Sequence, residues 1–189
     1  MDTLALEGGF AKAPEQAAQA FRAALDAMAR PGTIRDVAGA APPAPMSVAA
    51  GVLVLTLTDR TTPLHLAPSH DLPVIRDWIG FHTGAPIVAA DAAAFALGRW
   101  NDLQPLGRFP LGTPEYPDRS VTLIVDCPEL SAEGARLTGP GIRDAAHLNL
   151  PEIAAFAENR ARFPLGFDCF LCAGSQLAGL PRSTLVEEG

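Results

Sequence analysis

Val121-Thr-Leu-Ile-Val125 and Phe167-Asp-Cys-Phe-Leu-Cys172 are the two segments that decide the fold of this chain. Both are short, largely apolar runs of the kind found in strands that are buried within a sheet. Helical and extended patterns alternate along the rest of the sequence. We therefore predict an α/β fold, in which the whole chain, residues 1–189, forms a single compact layered domain.

Four segments carry helical patterns. In residues 14–30, Phe21, Leu25 and Met28 recur on one face, and alanines fill the rest. Residues 47–57 have the β-branched character of a strand, but their length and alanines suit a buried helix, which we favour. Further helices are predicted over residues 72–82, with Ser69 or Asp71 as the cap, and over residues 151–162. The remaining strands are predicted at residues 62–67, 87–90, 95–97 and 136–138.

The amino-acid composition argues against several classes of function. The 14 basic and 21 acidic residues give a net charge of −7, which argues against binding to nucleic acid or to anionic lipid. Hydrophobic residues make up 48% of the chain, an apolar content that predicts some surface covered by a partner chain. There is no signal-peptide pattern and no uncharged apolar run long enough to cross a bilayer. We expect a cytoplasmic protein.

The positions of the lysine and cysteine residues argue against Schiff-base chemistry and against a metal site. Lys12 is the only lysine and falls in residues 1–13, which we expect to form a flexible arm, so no buried lysine is available for a Schiff base. Cys169 and Cys172 lie three residues apart in a predicted strand, so their side chains point to opposite faces. The two sulfurs therefore cannot share one metal ion, and we expect buried thiols and no metal site.

Two loop features could contact an anion or a substrate. Thr138-Gly-Pro-Gly-Ile142 has the composition of a tight turn, and the alternative is an anion contact from the amides of Gly141 and Ile142, after Gly139. His82 ends a predicted helix, where an imidazolium would interact favourably with the last carbonyls. Alternatively, His82 projects into a cleft beside Thr83 as a general base or ligand donor.

The other polar candidates are weaker. Ser69-His70-Asp71 has the residue types of a hydrolytic triad, but adjacent side chains cannot converge, so helix capping explains it better. Asp168 precedes an apolar run, so we expect it to be partly buried and paired, for instance with an arginine. Arg30 and Arg182 could contact an anion or form structural ion pairs. Four further acids are interpreted as solvated surface residues: Glu115, Asp118, Asp126 and Glu129.

A series of short motifs runs in order along nearly the entire chain. They are Ala27-Met-Ala-Arg-Pro-Gly32, Phe81-His-Thr-Gly84, Leu137-Thr-Gly-Pro-Gly-Ile142, Phe163-Pro-Leu-Gly-Phe-Asp168 and Leu180-Pro-Arg-Ser-Thr184. In this ordered combination the sequence resembles the PhnH family of the bacterial carbon–phosphorus lyase system.

The resemblance implies a fold similar to the PLP-dependent transferases but without a functional PLP site, no cofactor, and commonly a homodimer. It also implies assembly with the PhnG, PhnI and PhnJ subunits. The core complex attaches methylphosphonate to the ribose C1 of ATP and releases adenine, as alpha-D-ribose 1-methylphosphonate 5-triphosphate synthase. A structural or substrate-positioning role would fall to this chain. The alternative is a stand-alone nucleotide- or phosphonate-binding transferase or hydrolase that uses His82, Asp168 and Arg182.

Overall fold

The structure is a computed structural model that describes residues 6–189. The strands are β1 (Ile34–Asp36), β2 (Leu64–Leu66), β3 (Phe95–Gly98), β4 (Thr122–Asp126), β5 (Ala135–Thr138), β6 (Ala146–Leu148), β7 (Asp168–Ala173), β8 (Gln176–Leu180) and β9 (Leu185–Glu187). The helices are α1 (Ala13–Ala29), α2 (Val48–Leu57), α3 (Pro73–His82), α4 (Trp100–Leu103) and α5 (Ile153–Ala161). The prediction of a mixed α/β fold is confirmed.

A six-stranded sheet in the order β1-β8-β7-β4-β3-β2 forms the centre of the molecule. Strands β2, β3, β4 and β7 are parallel, and β8 and β1 continue the sheet in antiparallel pairing. The carboxyl ends of the four parallel strands therefore lie on one side of the sheet, which we call the carboxyl edge. Their amino ends lie on the opposite side, which we call the amino edge. A smaller sheet has the order β6-β5-β9.

Both faces of the central sheet are covered. Helices α1, α2 and α3 pack on one face, against residues that include Ile124 and Cys172. On the other face, α4, α5 and the small sheet pack against residues that include Leu123, Val125 and Cys169. Successive residues of β4 thus enter different cores, which is why this strand is apolar without alternation.

Residues 47–57, ambiguous in sequence, form the helix that we favoured. The Ser47 side chain accepts a hydrogen bond from the Ala50 amide at 3.1 Å, which caps the helix start. Val52, Leu53 and Val54 are fully buried. The β-branched residues therefore reflect burial on several sides of a helix rather than extended structure.

Helix α1 lies where it was predicted, but the face that carries its large apolar residues is exposed. Phe21 and Leu25 are 51% and 59% exposed, whereas Ala20, Ala24 and Ala27 are buried. A Cβ atom on Gly179 of β8 would lie only 2.6 Å from the carbonyl carbon of Ala27. The helix uses its alanines to approach the sheet closely, which leaves the larger side chains outside.

The predicted cap of α3 is wrong. Leu72 occupies the N-cap position without a side-chain hydrogen bond, and Pro73 begins the helix. Asp71 instead forms an ion pair with Arg76, and Ser69 accepts a hydrogen bond from the Arg99 amide at 3.1 Å.

Several short strands differ from the prediction. Residues 87–90 do not form a strand: Ile87 makes an isolated bridge to Leu64, and a 3-10 turn follows at Ala90–Ala92. The sequence patterns also missed β1, β6, β8 and β9. Three of these have three residues each, too few for alternation to register, and β8 contains Gly179, which disfavours a strand.

The N-terminal residues from 6 onwards pack over α3. The carbonyl oxygen of Glu7 accepts a hydrogen bond from the Trp78 indole at 2.9 Å, and that of Gly8 accepts one from the Ala41 amide at 2.8 Å. The first five residues of the predicted arm lie outside the described part of the chain. Within residues 6–189, no helix is long and apolar enough to span a bilayer.

Candidate functional site

Asp168 and Arg182 meet at the amino edge of the sheet. Asp168 begins β7 and Arg182 follows β8, so the antiparallel hairpin brings the two residues together. The guanidinium binds the carboxylate through two bonds, Nε–Oδ1 at 3.1 Å and Nη2–Oδ2 at 2.6 Å, and the Arg182 amide adds a third at 2.9 Å. Both side chains are largely buried, with 12% of Arg182 and 28% of Asp168 exposed.

The remaining donors of Arg182 are also occupied. Nη1 donates to the carbonyl oxygens of Pro117 at 2.8 Å and Pro164 at 3.5 Å, and Nη2 donates to the Ser120 hydroxyl. A guanidinium has five N–H donors, and each of these has an acceptor here. Arg182 therefore ties two loops to the strand ends and has no donor left for a phosphate.

An apolar surface borders this ion pair. It comprises Phe21, Leu25 and Met28 of α1 together with Leu57, Phe95, Phe170 and Pro181, and we call it the amino-edge face. A shallow cleft of about 310 Å³ runs across it, and Thr122 and Asp168 form its polar border. Large apolar side chains clustered on a surface are typical of protein–protein contacts.

His82 and Thr83 lie elsewhere, at the end of α3. The His82 ring contacts the Glu7 carbonyl oxygen through Nε2 at 3.1 Å. The Thr83 hydroxyl donates to the Ile79 carbonyl oxygen at 2.9 Å, which helps to end the helix. Among residues 6–189, no hydrogen bond or ion pair joins His82 to Asp168 or Arg182. The structure does not bring these three residues into one site.

The Gly139-Pro-Gly141 turn packs against the end of α1. A Cβ atom on Gly141 would lie 1.9 Å from the Ala29 carbonyl oxygen, and the φ of +82° also requires glycine. The Ile142 amide donates to the Gly139 carbonyl oxygen at 3.1 Å, so that amide is used within the turn. Arg30, at the end of the same helix, forms an exposed ion pair with Asp26 at 3.1 Å.

The cysteines are protonated thiols at neutral pH. Cys169 and Cys172 are fully buried on opposite faces of β7, as their spacing predicts. Burial raises the pKa of both thiols well above the ordinary value, and burial together with the Asp126 charge raises the pKa of Cys127 to about 11. No group of three metal-binding side chains occurs in the described part of the chain.

One polar cluster was not foreseen from the sequence. His70 is fully buried, with Nε2 2.8 Å from Asp126 Oδ2 and Nδ1 3.0 Å from the Ser69 hydroxyl. The acid that joins Ser69 and His70 is therefore Asp126, at the end of β4, and not the adjacent Asp71. The interpretation of Asp126 as a solvated surface acid is wrong, because its side chain is 8% exposed. Its position at the carboxyl end of an apolar strand was the signal that could have identified it.

Comparison with known proteins identifies the family. Residues 8–187 match the family model described as "Bacterial phosphonate metabolism protein (PhnH)". The chain belongs to the PhnH family. A PhnH relative from Rhizobium meliloti (strain 1021), named "Alpha-D-ribose 1-methylphosphonate 5-triphosphate synthase subunit PhnH", is 40% identical over 189 residues, which cover 95% of this chain and 94% of that protein.

A second relative of this PhnH-family chain comes from Stutzerimonas stutzeri and is named "Putative C-P lyase subunit protein HtxG". It is 33% identical over 198 residues, which cover 95% of each protein. The names of both relatives describe subunits, which agrees with the exposed amino-edge face as a surface for contact with another protein.

Proposed function

We propose that this chain is a subunit of a carbon–phosphorus lyase core complex and assembles there with PhnG, PhnI and PhnJ. Its role is structural or substrate-positioning. It supports the transfer of methylphosphonate to the ribose C1 of ATP with release of adenine, and it is not catalytic alone. The name of the Rhizobium meliloti relative supports the reaction, and the names of both relatives support the role as a subunit.

The main support for this proposal is the exposure of large apolar side chains on the amino-edge face. Phe21 and Leu25 remain half exposed although the alanines of the same helix are buried. Complete burial of such side chains is worth about 1.5–3 kcal/mol each, so covering the exposed half contributes on the order of 1 kcal/mol per residue. A partner subunit seated on this face would gain that free energy, and in the isolated chain a second copy could occupy the same face as a homodimer.

We further propose that the central sheet is a scaffold similar to the PLP-dependent transferases that works without PLP or another cofactor. The single lysine supports this proposal. Lys12 precedes α1 at the surface, with Nζ 3.9 Å from Glu15, and an exposed amine of this kind is not positioned for an internal aldimine. The cytoplasmic location stays a prediction from the sequence.

The stand-alone transferase or hydrolase is supported less well. It would require His82, Asp168 and Arg182 to meet one ligand, whereas Arg182 is fully engaged by protein acceptors and His82 contacts Glu7.

The test is co-expression with tagged PhnG, PhnI and PhnJ, followed by size-exclusion chromatography with light scattering. We expect the wild-type chain to co-elute with its partners in fixed stoichiometry. The double variant Phe21→Glu/Leu25→Glu should elute separately, because two carboxylates on the amino-edge face would have to be desolvated on docking.

The matched control places two carboxylates on the solvent side of the same helix, at the exposed Gln19 and Arg22, as Gln19→Glu/Arg22→Glu, and should still co-elute. If the wild-type chain never co-elutes, the subunit proposal is wrong. If both double variants co-elute like the wild type, the amino-edge face is not the docking surface.

A further inference from the structure

A cavity of about 690 Å³ opens at the carboxyl edge, at the opposite end of the parallel strands from the amino-edge face. Its lining includes Arg99 after β3, Asp126 at the end of β4 and Gly174 after β7, together with Ser47 at the start of α2. Crevices outside the carboxyl ends of parallel strands are where α/β proteins bind their ligands. The volume lies within the range of small-molecule sites, roughly 300–1,000 Å³.

The Asp126 carboxylate is held asymmetrically at this cavity. Its Oδ2 atom accepts two hydrogen bonds, from the Ser47 amide at 3.0 Å and from His70 Nε2 at 2.8 Å. Its Oδ1 atom is buried and has no partner among the described residues, although the whole side chain is only 8% exposed. Buried carboxylate oxygens are normally hydrogen-bonded, so an unpaired one at a cavity indicates an acceptor kept for a ligand.

A chain of hydrogen bonds occupies one carboxylate oxygen of Asp126 and leaves the other free to accept a hydrogen bond from a ligand. The Arg99 amide donates to the Ser69 hydroxyl at 3.1 Å, and this hydroxyl can in turn donate to His70 Nδ1 at 3.0 Å. With the ring in that tautomer, His70 Nε2 donates to Asp126 Oδ2 at 2.8 Å. In this arrangement Asp126 accepts through Oδ2, and its free Oδ1 atom is complementary to a hydroxyl or amine donor.

Arg99 provides the opposite charge. Its side chain is exposed, lines the cavity and makes no ion pair with any residue from 6 to 189. A free guanidinium is well suited to bind phosphate through two parallel hydrogen bonds. Three prolines, Pro45, Pro128 and Pro151, form apolar parts of the wall. A ligand that matches these features carries a phosphate, hydroxyl groups and an apolar ring face.

We propose that the carboxyl-edge cavity binds a phosphorylated sugar, either free or as part of a nucleotide. Asp126 accepts a hydrogen bond from a ligand hydroxyl, Arg99 binds the phosphate, and His70 is a positioning residue that fixes the carboxylate. The site uses no residue of the amino-edge face, so the proposal can be tested on the isolated chain and its failure would not bear on the docking proposal.

Isothermal titration calorimetry of the purified wild-type chain tests the proposal with ATP, ribose 5-phosphate, ribose and inorganic phosphate as probes. We expect one site per chain for at least one of the two phosphorylated sugars, and weaker binding of both ribose and inorganic phosphate. Preference for ATP over ribose 5-phosphate would identify a nucleotide site, and the reverse preference would identify a free sugar phosphate.

Two variants assign the roles. Arg99→Ala, which removes an exposed side chain, should weaken binding of the phosphorylated sugar at least about tenfold. Asp126→Asn keeps the shape of the side chain and should weaken it by a similar factor, with little effect on inorganic phosphate. The control Arg22→Ala removes an exposed arginine of α1 and should leave the affinity unchanged.

Absence of binding for both phosphorylated sugars up to about 10 mM, corresponding to less than about 3 kcal/mol of binding free energy, would overturn the proposal. Equal affinities in wild type and Arg99→Ala would overturn it as well. Should Asp126→Asn fail to fold, the Arg99→Ala comparison still decides, because Arg99 is a surface side chain.

Discussion

At the scale of single residues, the number of engaged donors distinguishes the arginines of this protein. Arg182 donates to Asp168, to Ser120 and to two backbone carbonyl oxygens from a largely buried position. Arg136 forms one ion pair with Glu187, and both of its partners are about half exposed. Exposed pairs contribute little to stability, whereas removal of one partner from a buried network leaves several unpaired groups.

Replacement of Arg182 by alanine should therefore reduce the free energy of unfolding by about 2–4 kcal/mol, somewhat less than for a fully buried pair because Asp168 is partly exposed. The matched control, Arg136→Ala, should cost less than about 1 kcal/mol. Urea denaturation, monitored by circular dichroism, measures the change in the free energy of unfolding for both variants. Equal losses for the two variants would show that Arg182 is not a structural anchor.

The thiol of Cys127 should react slowly and with a characteristic pH dependence. With its pKa raised to about 11, the thiolate fraction at pH 8 is about 0.1%, against roughly a quarter for an ordinary cysteine. We expect alkylation by iodoacetamide to be at least about a hundredfold slower than for free cysteine and to accelerate as the pH rises towards 11.

Asp126→Asn should accelerate this alkylation of Cys127, because the Asp126 charge contributes to the raised pKa. Mass spectrometry of the labelled peptide measures the rate, and Cys127→Ser controls for labelling at the other two thiols. A rate at pH 8 equal to that of free cysteine would contradict the expectation.

At the scale of elements, α1 explains both the packing of the helical layer and its exposed surface. Its alanines let the helix backbone approach Gly179 of β8 to a distance at which no side chain fits. The same orientation keeps Phe21 and Leu25 out of the core. The exposed amino-edge face is thus a direct consequence of how closely helix and strand pack.

Gly179→Ala should destabilise the fold by about 1–3 kcal/mol, since the new methyl group would overlap the backbone of α1 and force the helix outwards. Gly80→Ala is the matched control in α3, where a Cβ atom meets nothing within 4 Å. It should stabilise the protein by about 0.5–1 kcal/mol through helix propensity. The urea concentrations at the midpoints of unfolding compare the stabilities of the two variants. If Gly179→Ala left the stability unchanged, the tight packing of α1 on β8 would be refuted.

Sequence patterns predicted the long elements and the most apolar strands, because periodicity and burial are local properties. They placed β4, β7, α1 and α5 to within two residues at each end. They could not give the buried face of α1, which depends on Gly179, a residue some 150 positions away. For the same reason the His70–Asp126 pair was missed, since its members are 56 residues apart and only the sheet brings them together.

At the scale of the whole molecule, the parallel strands separate two surfaces. Strand β4 begins at Thr122, which borders the amino-edge face, and ends at Asp126, which lines the carboxyl-edge cavity. Five residues of strand span roughly 13 Å. A protein partner on one edge and a small ligand on the other could therefore be bound at the same time, so positioning a substrate within an assembly would not require the subunit to be released.

The pairing of β1 with β8 also limits how early the N-terminal part of the chain can complete its folding. Strand β1 has β8 as its neighbour in the sheet, and α1 packs on that same late strand. During translation, α1 can already contact α2, but β1 and α1 lack their partner β8 until residues 176–180 have left the ribosome. Until then the part of α1 that packs on β8 stays uncovered next to Phe21 and Leu25, and exposed apolar surface of this kind makes a nascent chain prone to aggregation.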